Sequence, residues 1–162
     1  LTDTVLLKSP TSTALDRAVA ERLAAVLGVE YQAFGLEMFK ARSAGRVFSA
    51  DEAVTSDLKE YQVGDATIAI SQIETVDLTQ AMEHQTELTA RMAALAQARG
   101  YDLSILMVTD ILEEGSEIIA VGRTRLAERA LGCDLSSGTA WLPGVLSRKK
   151  QVAAKLLQAA GG

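Results

Sequence analysis

The period of the hydrophobic residues changes along the chain, and these changes predict where its helices and strands lie. From Thr13 to Gly28 the apolar side chains recur at the three- and four-residue spacing of an amphipathic helix. The residues on this stripe are Leu15, Val19, Leu23, Val26 and Leu27. Thr13 opens a capping box and Gly28 is a typical helix stop, so both helix ends have a local signal. Shorter helices are predicted at 31–42 and 49–56.

Beyond the third helix the period shortens to two, which predicts β-strands. Residues 59–63 and 66–74 form a predicted hairpin around Gly64-Asp65, and a long helix at 78–99 ends at Gly100. Further strands are predicted at 103–112, 117–122 and 139–142, with helices at 124–131 and 147–160. This order of elements predicts an α/β fold with a single mixed β-sheet of about five strands flanked by helices.

Composition limits the class of protein further. The 162 residues fit one domain, and a hydrophobic fraction of 48% allows a substantial core. No apolar run approaches the ~20 residues that span a bilayer, and no signal peptide opens the chain, so we expect no membrane association. The single cysteine, Cys133, excludes an internal disulfide and fits a cytoplasmic protein. Because the chain begins with Leu1 rather than Met, we expect it to be part of a longer protein.

The charge is distributed unevenly. The net charge of −5 argues against general nucleic-acid binding. Beyond Asp134 there is no acidic side chain, and the only charged residues are Arg148, Lys149, Lys150 and Lys155. A basic end on an acidic protein indicates a local anion site.

The strongest candidate for such a site is the predicted helix start at Ser147. Serine is a favoured N-cap residue, the first amides of a helix lack intrahelical partners, and the helix dipole makes this end positive. Arg148, Lys149 and Lys150 therefore have the wrong sign for helix stability, at a cost of ~0.3–1 kcal/mol each. A bound phosphate would meet both the amides and the cations, which favours an anion site. The alternative is a solvated basic helix end.

The other candidate residues have simpler explanations. Lys59 has acidic neighbours, which favours a surface ion pair of small energy. An acidic patch follows the predicted strand at 103–112; its members are Asp110, Glu113, Glu114 and Glu117. Their spacing matches no closed cation loop, which favours a plain turn. His84 is interpreted as an exposed helical residue and Cys133 as a packing residue, and no nucleophile–base pair is visible.

Several segments together resemble the family II inorganic pyrophosphatases, the manganese-dependent members of the DHH phosphoesterase superfamily. The matching segments are Leu1–Thr4, Lys8–Thr11, Gly35–Ala41, Asp57–Tyr61, Gln72–Asp77, Val108–Leu112 and Gly144–Gln151. They occur in the order of the family and cover nearly the whole chain. The Ser-Arg-Lys-Lys-Gln run at 147–151 is the most specific of them.

The resemblance implies a division into two parts. Residues 13–162 would be the C-terminal, DHH-associated substrate-binding domain. Residues 1–12, in which Val5–Leu7 is interpreted as the end of a strand, would be the end of the N-terminal DHH lobe and a linker. By the resemblance, Asp3 would be one metal ligand, whereas the Asp-His-His motif and the other ligands would lie upstream of Leu1.

The resemblance also assigns roles to the cations. Lys59, Arg148 and Lys149 would hold the oxygens of pyrophosphate, and Ser147 and Lys150 are possible further contacts. The implied reaction is two-metal hydrolysis of diphosphate to two phosphates, with Mn²⁺ or Co²⁺ in the enzyme and Mg²⁺ accompanying the substrate. One departure follows the signature: Gln151 leads into Val-Ala-Ala, where many members have Val-Val-Pro.

The partners implied are pyrophosphate or phosphate and the N-terminal lobe of the same protein. The parent would be a homodimer through the missing lobe, and this chain a monomer. Two other functions stay open at this point: the equivalent lobe of a short-chain exopolyphosphatase, and a non-catalytic module that binds an anionic ligand.

We expect the purified chain to be inactive as an enzyme and to hold no metal ion tightly, because the resemblance places most metal ligands outside it. Phosphate release from pyrophosphate, measured with added Mn²⁺, tests this expectation. Metal-dependent turnover by the 162-residue chain would contradict it.

Overall fold

The computed structural model describes residues 1–43 and 48–160. It divides into two compact units, Leu1–Val47 and Phe48–Gly162, which are treated separately below. The predicted domain boundary between residues 12 and 13 stays a prediction.

The first unit contains the helices α1 (Ala14–Leu27) and α2 (Tyr31–Ser43). The predicted capping box is present: the Thr13 hydroxyl accepts from the Asp16 amide, and the Asp16 carboxylate accepts from the Thr13 amide. Gly28 ends α1 in the left-handed conformation. The apolar stripe of α1 faces outward, since Leu15 and Val26 are 72% and 77% exposed.

The predicted strand end at Val5–Leu7 is wrong. Residues 2–9 form turns, and the φ angles of Val5, Leu6 and Leu7 are 48°, 55° and 66°. Their amides bond locally, as when the Leu6 amide donates to the Leu1 carbonyl at 2.9 Å. The described part of this unit offers no neighbouring strand, and a lone strand would leave its backbone groups unpaired.

The second unit is built on one mixed sheet of five strands in the order β1-β2-β3-β4-β5. The strands are β1 (Lys59–Val63), β2 (Ala66–Thr75), β3 (Leu103–Asp110), β4 (Gly115–Gly122) and β5 (Thr139–Pro143). Only β2 and β3 pair in parallel, and the other neighbours are antiparallel. The predicted fold class, an α/β domain with a single mixed sheet flanked by helices, is confirmed.

The helices of this unit are α3 (Ala50–Thr55), α4 (Leu78–Met82), α5 (Gln85–Arg99), α6 (Thr124–Leu131) and α7 (Ala154–Ala160). A π-helical segment, Arg148–Ala153, leads directly into α7. The single helix predicted at 78–99 is interrupted at Glu83 and His84. His84 is the N-cap residue of α5, with φ −92° and ψ 9°, and its ring stacks on Phe48 with the centroids 3.7 Å apart.

The side chains of β3 are buried along its whole length, because helices cover both faces of the sheet. One face packs against α3 and α5 through Leu106 and Val108. The opposite face packs against α6, the π-helical segment and α7 through Ile105 and Met107. This accounts for the unbroken apolar run that predicted a central strand.

Strand directions bring one set of strand ends to a common edge of the sheet. The carboxyl ends of β2, β3 and β5 meet the amino end of β4 there, as the pairs Thr75–Asp110 and Gly115–Pro143 show, whereas β1 begins beside Ile70, before the end of β2. We call this the carboxyl edge. Open α/β sheets commonly bind ligands outside the carboxyl ends of their parallel strands. In the two described segments of the chain, no helix is long and apolar enough to cross a membrane.

Gly122, the last residue of β4, should not tolerate a side chain. Its φ is +92°, and an added Cβ would lie 2.3 Å from the Asp102 carbonyl oxygen, a backbone atom that cannot swing away. We expect Gly122→Ala to lower the free energy of unfolding by about 2–3 kcal/mol, measured by urea denaturation. Gly64→Ala is the control, since Gly64 also has positive φ (+62°) but open space around it, and should cost only about 1 kcal/mol. Equal losses in the two variants would contradict the steric argument.

Candidate anion-binding site

The basic segment predicted from the sequence lies at the carboxyl edge, directly after β5. The chain turns there through Gly144, whose φ is +72° and whose amide donates to the Glu114 carbonyl at 2.7 Å. Val145, Leu146 and Ser147 are buried. The stretch 144–148, which we call the basic turn, therefore joins β5 to the π-helical segment, and burial of its middle residues fixes its position.

The side chains of Ser147 and Gln151 hold the basic turn through hydrogen bonds to its backbone. Ser147 is the N-cap, and its hydroxyl accepts from the Lys150 amide at 3.3 Å. The Gln151 side-chain oxygen accepts from the amides of Leu146 and Ser147, both at 2.9 Å. The same side chain donates through its nitrogen to the Gly144 carbonyl at 2.7 Å. The predicted N-cap is thus confirmed, and Gln151 is part of the cap.

The expectation that the amides at this helix start are free needs a correction. The Arg148 amide donates to the Gln72 side-chain oxygen at 3.3 Å, and the Lys150 amide is held by Ser147. The first six residues are also π-helical rather than α-helical. Attraction for an anion therefore comes more from the cationic side chains than from bare amides.

Arg148 is the least exposed of these cations. Its side chain is 14% exposed, and its Nη1 lies 2.9 Å from the Oδ2 of Asp57. Nη1 also donates to the backbone carbonyl of Asp57, whereas the buried Nε has no partner in the described part of the chain. Asp57 precedes β1, so this ion pair joins the basic turn to the start of the edge strand.

The same ion pair connects the basic turn to the neighbourhood of Lys59, which lies two residues after Asp57. Lys59 is the first residue of β1, pairs with Ile70 of β2 and is exposed. Lys149 and Lys150 are exposed on the π-helical segment. The fold thus connects the start of β1 to Arg148, although Lys59 and Ser147 are 88 positions apart in the sequence. Asp3 lies in the other unit, exposed in its first turns.

The remaining candidates have structural roles. Asp110 is buried, and its Oδ1 accepts from the amides of Leu112 and Glu113 at 2.8 and 3.0 Å, which holds the turn after β3. Burial raises the pKa of the Cys133 thiol, and the residue packs against the core, as expected for a packing residue. His84 stands at the N-cap position of α5 without a side-chain cap hydrogen bond, and it is half-buried against Phe48 rather than exposed along a helix.

Several residues that hold the basic turn were not singled out from the sequence. They are Asp57, Gln72, Thr109, Ser116 and Gln151. For the three on strands a signal exists: each is the polar residue at the carboxyl-edge end of an alternating apolar row. Strands commonly carry a polar residue where they reach the surface. The pattern therefore indicates the edge of the sheet but not the function of these residues.

The fold and the cationic carboxyl edge define an α/β domain with a ligand-accessible sheet edge. A family model described as the DHHA2 domain matches residues 36–159. The chain therefore belongs to the DHHA2 domain family.

Proteins named manganese-dependent inorganic pyrophosphatases are similar over the whole chain. One from Streptococcus mutans is 40% identical, covering 100% of this chain and 53% of the relative. One from Lactobacillus delbrueckii subsp. bulgaricus is 38% identical, covering 98% of this chain and 52% of the relative.

A crystal structure from Methanococcus jannaschii, assigned to the family II inorganic pyrophosphatases, superimposes with a TM-score of 0.88. It is 34% identical in sequence, over 99% of this chain and 53% of that one. The family resemblance predicted from the motifs is confirmed. The chain spans about half the length of the curated relatives that it matches.

Asp57 should compete with an anion for Arg148. Asp57→Asn keeps the size of the side chain and the backbone carbonyl but removes the counter-charge, so we expect phosphate to bind about two- to fivefold more tightly. Amide shifts at Ser147–Gln151 during phosphate titration measure this. Asp51→Asn is the control, because it breaks a similar ion pair, with Arg91, in helices α3 and α5. Unchanged or weaker binding in Asp57→Asn would contradict the competition.

Proposed function

We propose that this chain is the C-terminal substrate-binding lobe of a manganese-dependent inorganic pyrophosphatase, and that Lys59, Arg148 and Lys149 hold the phosphates of pyrophosphate. The observation that carries the proposal is the ion pair of Arg148 with Asp57, which joins the basic turn to the start of β1 in a DHHA2 domain, two residues before Lys59. The similar proteins are named as pyrophosphatases, which supports pyrophosphate as the substrate.

The cations would contact the phosphates differently, because arginine and lysine differ in geometry and charge distribution. Arg148 has a planar fork that suits two phosphate oxygens, and it would exchange the Asp57 carboxylate for them. Lys149 and Lys59 would each add a point charge to the site. Ser147 and Lys150 are further possible contacts beside it. Such preplaced cations would stabilise the charge that develops on the leaving phosphate.

The residues that the structure describes do not form a complete metal centre for such an enzyme. Among the residues that the structure describes, no group of three or more His, Cys, Asp or Glu side chains is placed to hold a metal ion. We therefore propose that the Mn²⁺ or Co²⁺ ligands come from an N-terminal DHH lobe, with Asp3 as one of them and Mg²⁺ arriving with the substrate. Cleavage would then require that lobe.

The proposal extends to assembly and location. Residues 13–162 would form the substrate-binding domain and residues 1–12 the connection to the metal-binding lobe, with closure of the two lobes around pyrophosphate. The chain by itself would be a monomer and its parent a homodimer. The lone cysteine supports a cytoplasmic setting.

Neutralising the proposed clamps one at a time should weaken pyrophosphate binding. We expect Arg148→Gln to raise the Kd about tenfold or more, because a hydrogen-bonded charge is lost, and Lys59→Gln or Lys149→Gln to raise it about threefold. Isothermal titration of the metal-free chain with pyrophosphate measures the Kd. Lys155→Gln is the matched control, since Lys155 lies in the next helix, α7, with the same charge.

Three results would overturn the proposal: no binding of pyrophosphate by the wild-type chain, equal losses in Lys155→Gln and the clamp variants, or no loss in the clamp variants. A parallel titration with a longer polyphosphate distinguishes the pyrophosphatase lobe from an exopolyphosphatase lobe, which should prefer the longer chain.

A further inference from the structure

A row of polar side chains lies between the hydrophobic core and the basic turn. On the face of the sheet that packs against α6 and α7, β2 continues from Ile70 to Gln72 and β3 from Met107 to Thr109. On β4 the first residue of the same face is Ser116, which pairs directly with Thr109. Thr109 and Ser116 are fully buried, at 0% exposure.

These side chains form one hydrogen-bonded chain with a fixed direction. The Ser116 hydroxyl donates to the Val145 carbonyl at 2.7 Å, so it can only accept from Thr109, 2.8 Å away. Thr109 in turn accepts from the side-chain nitrogen of Gln72 at 3.0 Å. Donation therefore runs from Gln72 on β2 to Thr109 on β3, from Thr109 to Ser116 on β4, and from Ser116 to the Val145 carbonyl in the basic turn.

Gln72 joins this chain to the turn itself. Its nitrogen also donates to the Leu146 carbonyl at 3.2 Å, and its oxygen accepts from the Arg148 amide at 3.3 Å. The amide group has only one orientation that works, because a flip would set donor against donor at Arg148 and acceptor against acceptor at Leu146. The two ends of the amide thus fix the two sides of Ser147.

We propose that Gln72 is a positioning residue for the anion site, acting with Thr109 and Ser116 as a relay that sets the place of the basic turn. This inference rests on the proposed function of Arg148 and Lys149. The Asp57 ion pair holds the guanidinium group of Arg148, whereas the relay holds its backbone, so the two contacts constrain the residue from different sides.

The physical reason is the cost of an incomplete network. Removing the Gln72 amide leaves the Arg148 amide, the Leu146 carbonyl and a buried hydroxyl short of a partner. The turn can regain those hydrogen bonds only by moving towards water, which displaces Arg148 and Lys149 from their shared geometry. A small displacement of a charged binding group costs affinity even where the fold survives.

The test uses paired variants of the 162-residue chain, with the Kd for pyrophosphate and the Arg148 amide signal as readouts. Gln72→Met keeps the length of the side chain and removes its polar atoms; we expect the Kd to rise about tenfold, which corresponds to about 1.4 kcal/mol. We also expect the Arg148 amide to shift and to exchange its hydrogen faster. Gln62→Met is the matched control, because Gln62 is a strand glutamine whose side chain, within the described residues, bonds to the nearby hairpin residues Gly64 and Thr67.

Thr109 separates positioning from packing. Thr109→Val matches the shape of threonine but lacks the hydroxyl, whereas Thr109→Ser keeps the hydroxyl and loses a methyl group. If the relay sets the turn, Thr109→Val weakens binding about fivefold and Thr109→Ser retains the wild-type Kd. If the site depends only on packing, Thr109→Ser is the worse variant, and this result would overturn the proposal. This pair also serves if Gln72→Met fails to fold.

The outcomes distinguish this inference from the function on which it rests. A wild-type chain that does not bind pyrophosphate refutes the proposed function. A wild-type chain that binds, with an unchanged Kd in Gln72→Met and Thr109→Val, refutes the relay alone. Equal weakening by Gln62→Met and Gln72→Met also refutes the relay, since only one of these residues touches the basic turn.

Discussion

The parallel pairing of β2 with β3 is the constraint on which the rest of the structure depends. A parallel pair needs a crossover connection, and α4 and α5 supply it on one face of the sheet. With α6 and α7 on the other face, β3 is buried throughout. Because β2 and β3 end side by side, their last polar residues meet at the carboxyl edge. The basic turn rests on those residues.

The carboxyl edge places cations within a network rather than on a bare helix end. The first amides of the π-helical segment are partly occupied by Gln72 and Ser147, and Arg148 is mostly buried against Asp57. Each contact removes conformational freedom that an anion would otherwise have to remove on binding. Two features thus stabilise a helix start that carries three basic residues. Hydrogen bonds hold the turn rigidly, and Asp57 neutralises Arg148.

Much of the fold was predictable because its signals are local. The hairpin of β1 and β2, the capping box at Thr13 and the buried β3 follow from turn residues, cap spacing and an apolar run. Two local predictions failed. The predicted long helix is interrupted at Glu83 and His84, where His84 stacks on Phe48, and Val5–Leu7 forms turns in a unit whose described part supplies no strand beside it.

The sequence by itself determined the class of fold, the cationic signature at 147–151 and its favoured chemistry, since residue type and spacing decide charge, capping and period. Only the tertiary structure decided that Asp57, two residues before Lys59, and Gln72 hold Arg148. The physical reason is that these contacts join residues 76 and 91 positions apart. Such contacts exist only once the sheet has aligned its strand ends.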